Sequence, residues 1–300
     1  MGKIGIVILN YVTWKETNNC ISSIQSCKDV TDYQIYVVDN ASPNFQEAEI
    51  LISGENIQFI VNKENVGYAA GNNVGILKAL EDGCEYILIT NNDVLFETDS
   101  ILRMQKCLEQ HKEYGIVAPC ILDKDKSITK CHFMKKVEYG DIWLTQTILR
   151  FLCKKANEKV YGKHESYQKE RDVFAACGCC FMMSAECAKQ VTPLDENTFL
   201  YEEENILGIC MEQKGMKTRY LPDSKVIHNH DQTTRLVKPF ALICWACSEI
   251  YYLSEYLKTS KWKIRLLYGY RTLIFLFHGL KNTEYRIQWE NYKKKTGGYL

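Results

Sequence analysis

The chain has 300 residues, 46% of them hydrophobic, enough for one large packed core or two smaller ones. Lysine plus arginine number 37 and aspartate plus glutamate number 37, so no net field draws in nucleic acid, and no recognition-helix or RNA-binding signature occurs. The 14 cysteines are scattered through apolar runs, as at Cys20, Cys107, Cys210 and Cys244, and read as small buried hydrophobes rather than a disulfide scaffold.

The first apolar run begins at Ile4 in "MGKIGIVILNY", without the longer apolar segment and cleavage site of a signal peptide, so the chain is expected in the cytoplasm. Strand-like runs follow at "IGIVILN" (4 to 10), "YQIYVVD" (33 to 39), "IQFIVN" (57 to 62), "YILIT" (86 to 90) and "GIVAPCI" (115 to 121). Between the first two, Thr13 and Glu16 predict a capping box, and Trp14, Thr17, Ile21 and Ile24 keep helical spacing. "GYAAGNNVGILKALEDG" is a helix closed by glycine, and Ser100 is expected to cap "ILRMQKCLEQH", with Ile101, Met104 and Leu108 on one face. Alternating elements with near-continuous apolar strands predict an α/β fold, a mainly parallel sheet flanked by helices. Residues 122 to 171 lack periodicity and read as an insertion over the active face. Order resumes at "DVFAACGCCFMMS", a buried strand leading to a helix capped by Ser184. "LDENTFLYEEENILGICMEQKG" then offers a helix face at Ile206, Ile209 and Cys210, and from Leu236 the chain is helical, aromatic and increasingly basic. No stretch reaches the roughly 18 uninterrupted apolar residues of a spanning helix.

In such sheets ligands bind outside the carboxyl ends of the strands, where Asn10, Asp39 with Asn40, Asn62 with Asn65, and Asn91 to Asp93 gather. Asp39 in "VVDNASP" reads either as an Asx-turn or as a carboxylate for a nucleotide's base or ribose. Gly67, Gly71 and Gly75 stand four apart, which fits close helix packing or a ligand lying against the helix. That spacing is neither a dinucleotide fingerprint nor a Walker loop. Asp93 after two amides is either a turn or a hard oxygen ligand for magnesium or manganese beside substrate phosphates. The Cys-x-x-Cys of "CGCC" (177 to 180) lacks a second pair at zinc-ligand spacing.

The segments "ILNYVTW", "VVDNAS", "NVGYAAGNNVGI", "ITNNDV", "GCCFMMS", "FLYEEENILG" and "YLPDSKVIHNH" occur in an order that resembles the family 2 nucleotide-sugar glycosyltransferases, most closely the bacterial rhamnosyltransferase-like members that assemble surface polysaccharides. The resemblance runs from about residue 4 to about residue 234. It implies a GT-A type nucleotide-sugar-binding domain over residues 1 to 235, with a donor half to about 121 and an acceptor half from about 122, and a helical extension over 236 to 300. The implied activity is an inverting, metal-dependent transfer of a sugar from a UDP- or dTDP-sugar to a hydroxyl of a glycan acceptor, in this subgroup a lipid-linked one. By position, Asn10 and Asp39 would face the nucleotide, and Asn65, Gly67, Asn72 and Asn92 would line the donor pocket. Asp93 would match the metal-binding aspartate for Mn2+ or Mg2+, with Asn91 replacing the first aspartate of that pattern. His228, one of the pair His228 and His230, would reach the metal or the diphosphate. Glu203 and Glu204 correspond to the acidic pair that supplies the base; Glu204 takes an aspartate's place and Ile206 stands where another aspartate would be.

Two other readings stay open at this level. A dinucleotide-dependent oxidoreductase would need glycines after "IGIVIL", where "NYVTW" stands, and a catalytically silent nucleotide-sugar-binding relative would keep the fold while losing the base or the metal site. Beyond Tyr256, Lys258, Lys261, Lys263, Arg265, Arg271, Lys281 and Arg286 are interleaved with Trp262, Leu266, Leu267, Tyr270 and Phe275. That composition fits either a helix in a membrane interface, which would make the protein peripheral on the inner face of the cell membrane, or a cap packed on the catalytic domain.

Overall fold

A computed structural model describes all residues except 1, 28, 47–53, 55, 230–237 and 299–300, so His230 lies outside the described residues. In chain order the first half comprises β1 (Ile4–Asn10), α1 (Trp14–Gln25), β2 (Tyr33–Asp39), β3 (Ile57–Val61), α2 (Tyr68–Glu81), β4 (Tyr86–Asn91), β5 (Val94–Phe96), α3 (Ser100–Gln110) and β6 (Tyr114–Leu122). The second half comprises α4 (Tyr139–Gln146), α5 (Lys154–Tyr161), β7 (Arg171–Val173), β8 (Cys180–Ser184), α6 (Ala185–Val191), α7 (Glu203–Gln213) and β9 (Lys217–His228). Towards the end come the α-helices α8 (Lys238–Tyr251), continued by a wider π-helical turn at Tyr252–Tyr256, α9 (Lys261–Lys281), α10 (Thr283–Ile287) and α11 (Trp289–Gly297).

One sheet runs through both halves in the order β3-β2-β1-β4-β8-β6-β9-β5, with β7 also on β9. The strands from β3 to β4 are mutually parallel, and β6 and β9 are parallel, while β8 enters antiparallel between β4 and β6. The β1 pattern explains why both sheet faces are covered: Ile4, Ile6 and Ile8 meet Trp14, Ile21 and Ile24 of α1, while Val7 meets Ile76 and Ala79 of α2 on the other side. A Cβ on Gly71 would stand 2.5 Å from Leu9 Cδ1, and one on Gly75 would stand 2.4 Å from Val7 Cγ1. Close packing of α2 on the sheet therefore explains these two glycines.

The helix ends divide the capping expectations. Ser184 accepts from the Cys187 N–H at 3.1 Å and caps α6 as predicted. Thr13 occupies the N-cap of α1 without a side-chain cap bond, because its hydroxyl accepts from Asn92 Nδ2 at 2.7 Å. Helix α3 already includes Ser100; Asp99 is the N-cap, and the Ser100 hydroxyl donates to the Glu97 carbonyl at 2.7 Å.

The segment 123 to 170, between β6 and β7, shares a core with the C-terminal helices. Val137, Ile142 and Val160 pack on Ile250, Leu253, Ile264 and Leu267. A buried ion pair ties the same regions: Arg271 donates to Glu249 at 2.9 and 2.6 Å and to the Gln146 carbonyl at 3.1 Å, with its guanidinium 4.1 Å from the Trp245 ring centre. Among the described residues, no helix is long and apolar enough to cross a membrane.

Candidate active site

At the carboxyl edge of the parallel strands, the predicted nucleotide-facing pair is turned inward. Asn10 and Asp39 are fully buried, and Asn10 Nδ2 donates to Asp39 Oδ1 at 2.8 Å. Asp39 also accepts from the Ser42 hydroxyl at 2.5 Å and, through Oδ2, from the Ser42 N–H at 2.9 Å. Asn10 Oδ1 receives the Thr17 hydroxyl at 2.8 Å and Asn92 Nδ2 at 3.1 Å. Asn10, Asp39 and Asn92 thus tie the ends of β1, β2 and β4 to the start of α1, and a nucleotide would have to use the lone pairs this network leaves over.

The glycine segment does a second positioning task. Asn65 Oδ1 accepts from the Gly67 N–H at 3.1 Å, and Gly67 itself has φ +88°. A Cβ there would lie 2.5 Å from the Phe199 carbonyl oxygen, which receives the Tyr68 N–H at 2.9 Å. Gly67 therefore lets the start of α2 dock on the backbone that leads into the acidic segment. Asn72 donates to the Tyr68 carbonyl at 2.9 Å, and its buried Oδ1 has no hydrogen-bond partner among the described residues. Its neighbour Asn73, which sequence reasoning missed, holds the Leu194 backbone at both its N–H and its carbonyl.

Asp93 follows β4 in the turn to β5, where Val94 pairs with His228 of β9. His228 Nε2 lies 3.1 Å from Asp93 Oδ1. Burial alone would lower the His228 pKa, but the hydrogen bond and the charge of Asp93 outweigh it and raise it. Among the described residues, no group of three or more His, Cys, Asp or Glu is placed to hold a metal ion. One carboxylate beside one imidazole nevertheless fits a divalent cation that takes its other ligands from a diphosphate and water.

The acidic segment is the contrasting feature. Tyr201 and Glu202 both have positive φ, at 77° and 70°, and α7 starts directly after them. This turn brings Glu203 and Glu204 to a cavity of about 270 Å³, shared with Tyr68, Phe181, Leu194 and Tyr256. Glu204 Oε1 accepts the Gly178 N–H at 3.1 Å, and Tyr68 donates its hydroxyl to the Gly178 carbonyl. Burial, with the charge of nearby Cys177, pushes the Glu204 carboxyl up to about 7. Glu203 is raised well above the usual range by burial and by Glu204, and its buried Oε1 has no hydrogen-bond partner among the described residues. Glu202 is pushed up to about 8, again by burial first and then by the charge of Glu249, while its Oε2 accepts from Asn205 at 2.9 Å. Three adjacent carboxyl groups thus favour the protonated form, and Glu204 is the one poised to exchange a proton at neutral pH.

The loop before β8 connects the two candidate centres. The Asn91 N–H donates to the Cys179 carbonyl at 2.8 Å, two residues before Asp93, and the adjacent Gly178 holds Glu204. Gly178 and Tyr68 had no legible role in the sequence, since each acts through a partner distant along the chain. The predicted donor residues Asn10, Asp39, Asn65, Asn72 and Asn92 do not line the cavity at Glu203 and Glu204.

Comparison with known proteins places this arrangement. Residues 4–192 match the family model described as Glycosyl transferase family 2. The chain is 27% identical over 202 residues to the low-salt glycan biosynthesis hexosyltransferase Agl10 of Haloferax volcanii, covering 67% of this chain and 59% of that protein. It is 26% identical over 214 residues to the dTDP-rhamnosyl transferase RfbF of Shigella flexneri, covering 71% of this chain and 65% of that protein. The aligned part of the chain therefore spans less than two thirds of either relative. The fold is also similar to that of GalNAc-T7, solved with UDP, GalNAc and Mn2+, at a TM-score of 0.54 and 13% identity over 77% of this chain and 44% of that one. A mixed α/β sheet of GT-A type, the order of its motifs and a family match over most of the chain lead to one assignment: this protein belongs to glycosyl transferase family 2.

Proposed function

We propose that the protein is an inverting transferase that moves a sugar from a nucleoside diphosphate sugar, of the UDP or dTDP class, to a hydroxyl of a lipid-linked glycan acceptor in surface polysaccharide synthesis. The observation that carries this reading is Glu204: a carboxylate with its pKa raised to about 7, held by the Gly178 N–H at the wall of a cavity. A group poised near neutral pH is suited to take a proton from a hydroxyl as the oxygen attacks. The acceptor oxygen displaces the diphosphate from the opposite face of the sugar, so the anomeric configuration inverts in one step and the proton stays on Glu204. Glu203, kept protonated, donates to the acceptor and orients it. Tyr68 and Gly178 fix the direction in which the Glu204 carboxylate points.

Asp93 and His228, 3.1 Å apart, are the residues that would hold a divalent cation, and Asn65 with the Gly67 backbone, hydrogen-bonded to each other, would line the donor side. When bound, such a cation supplies charge neutralisation for the departing diphosphate. The donor class draws support from the dTDP-rhamnosyl transferase of Shigella flexneri among the relatives. The test is sugar release and transfer from a panel of dTDP- and UDP-sugars, with and without manganese, beside Glu204→Gln. Transfer by the native chain and donor binding without turnover in the variant are expected. Donor binding with no turnover in the native chain would instead identify a silent nucleotide-sugar-binding relative.

A further inference from the structure

Helix α9 is apolar on two faces, and among the described residues only one of them is covered. Ile264, Leu267, Arg271 and Phe275 are buried against the rest of the protein. Trp262, Leu266, Leu273, Leu276, Phe277 and Leu280 face outward, with Trp262 65%, Leu273 67% and Leu280 80% exposed. Positions 262, 266, 269, 273, 276 and 280 advance by alternating steps of four and three, which lays them in one stripe along the helix. Gly269, in the middle, adds no side chain to interrupt it. At 21 residues the helix, and so the stripe, is about 30 Å long. Single exposed leucines are ordinary on a soluble surface, whereas a continuous row of this length marks a surface that meets something apolar.

The charges say what that surface meets. Helix α9 carries Lys261, Lys263, Arg265, Arg271 and Lys281 and no acidic residue. Arg271 is committed to Glu249 in the interior, while Lys261 and Lys263 stand at one end of the stripe and Lys281 at the other. Near its midpoint the Ile148 N–H donates to the Tyr270 hydroxyl at 3.0 Å, bringing in the turn Ile148–Phe151 with Ile148, Arg150 and Phe151 all exposed. Pairing with a second copy would set one cationic helix against another. An anionic lipid surface satisfies both features at once, taking the leucines and aromatic rings at the acyl boundary and Lys261, Lys263 and Lys281 among its phosphates.

We propose that the outer stripe of α9, joined by the turn Ile148–Phe151, is a docking surface for an anionic lipid bilayer, with the helix lying in the interface. This goes beyond the reaction described above and does not rest on it, because binding needs neither donor nor acceptor.

The experiment uses the full chain without any nucleotide sugar and measures flotation with phosphatidylcholine–phosphatidylglycerol vesicles and with pure phosphatidylcholine vesicles at low salt. Binding to the anionic vesicles is expected, with a blue shift of tryptophan emission that Trp262→Phe removes. The double variant Leu273→Ser/Phe277→Ser, at positions that touch solvent, should keep the native melting temperature and lose bound protein by about tenfold or more. Lys261→Glu/Lys281→Glu should weaken binding to anionic vesicles only. Absence of binding to either vesicle, or equal binding by the leucine–phenylalanine variant, overturns the proposal. Equal binding to both vesicles overturns its electrostatic half. A native dimer that the double variant makes monomeric, with no vesicle binding, assigns the stripe to a second copy instead.

Discussion

Two polar regions at the same sheet edge behave in opposite ways. In the cluster of Asn10, Asp39, Ser42, Thr17 and Asn92 the first four are buried and Asn92 half-buried, with donors and acceptors matched to one another. The segment Glu202, Glu203 and Glu204 is enclosed too, but its carboxyls crowd one another, one oxygen lacks a partner, and all three pKa values are raised. A matched cluster contributes stability and holds strand ends in place; a crowded one is under electrostatic tension and is available for chemistry. Position at the edge of the sheet does not distinguish the two, whereas hydrogen-bond satisfaction does.

The comparison breaks first, if it breaks, at Glu204. Glu204→Gln should lower kcat by about 10²- to 10⁴-fold with donor binding kept, and native kcat should rise with pH through about 7, because the base acts only when ionised. A flat profile between pH 5 and 9, or a mild loss, would remove Glu204 from proton transfer. Glu203→Gln, already neutral in effect, should show a smaller defect.

Asp93→Asn sharpens the contrast from the metal side. It should abolish manganese-stimulated transfer and leave the melting temperature within about 2 °C of native, since one exchanged oxygen at a turn alters little packing. Manganese dependence would be read by titration, and an unchanged titration would discard the Asp93 assignment.

Asp39→Asn tests the matched cluster. Asp39 accepts three hydrogen bonds, and an amide there sets donor against donor, at a cost of about 2–3 kcal/mol and a melting temperature lowered by about 5 °C. Unchanged stability with lost donor binding would move Asp39 from scaffold to ligand contact.

Glu202→Gln should give the smallest effect, and its sign is fixed. A carboxyl raised to about 8 in the fold favours folding fully below its unfolded pKa near 4.5 and loses that contribution as pH rises towards 8. The neutral glutamine does not titrate, so its melting temperature should gain on that of the native chain between pH 5 and 9. Differential scanning at both ends of that range reads the difference; parallel curves would mean that Glu202 is not held protonated.

The long apolar runs were legible because each is enriched in Ile, Val and Leu and bounded by polar turns; the predicted strand at 33 to 39 and β2 coincide. The three-residue strands β5 and β7 were not, since so short a stretch has no period, and both exist by pairing with β9. The cap at Ser184 was readable from local spacing, whereas that expected of Thr13 failed because Asn92, distant in sequence, competes for its hydroxyl. In the C-terminal region, Leu266 and Leu267 read alike, yet one is exposed and the other buried, as the choice of inward face was made by Ile250 and Leu253 of a neighbouring element.

The sequence alone thus determined the longer strands, the main helices of the first half and the family, because each is written in neighbouring residues whose periodicity or order is local. Only the tertiary structure decided which strand-end side chains are hydrogen-bonded to one another, that Gly178 holds Glu204 while Glu203 keeps an oxygen unmatched among the described residues, and which side of α9 meets solvent. Those outcomes depend on hydrogen-bond partners and on burial supplied from distant positions, and neither is encoded in the residue concerned.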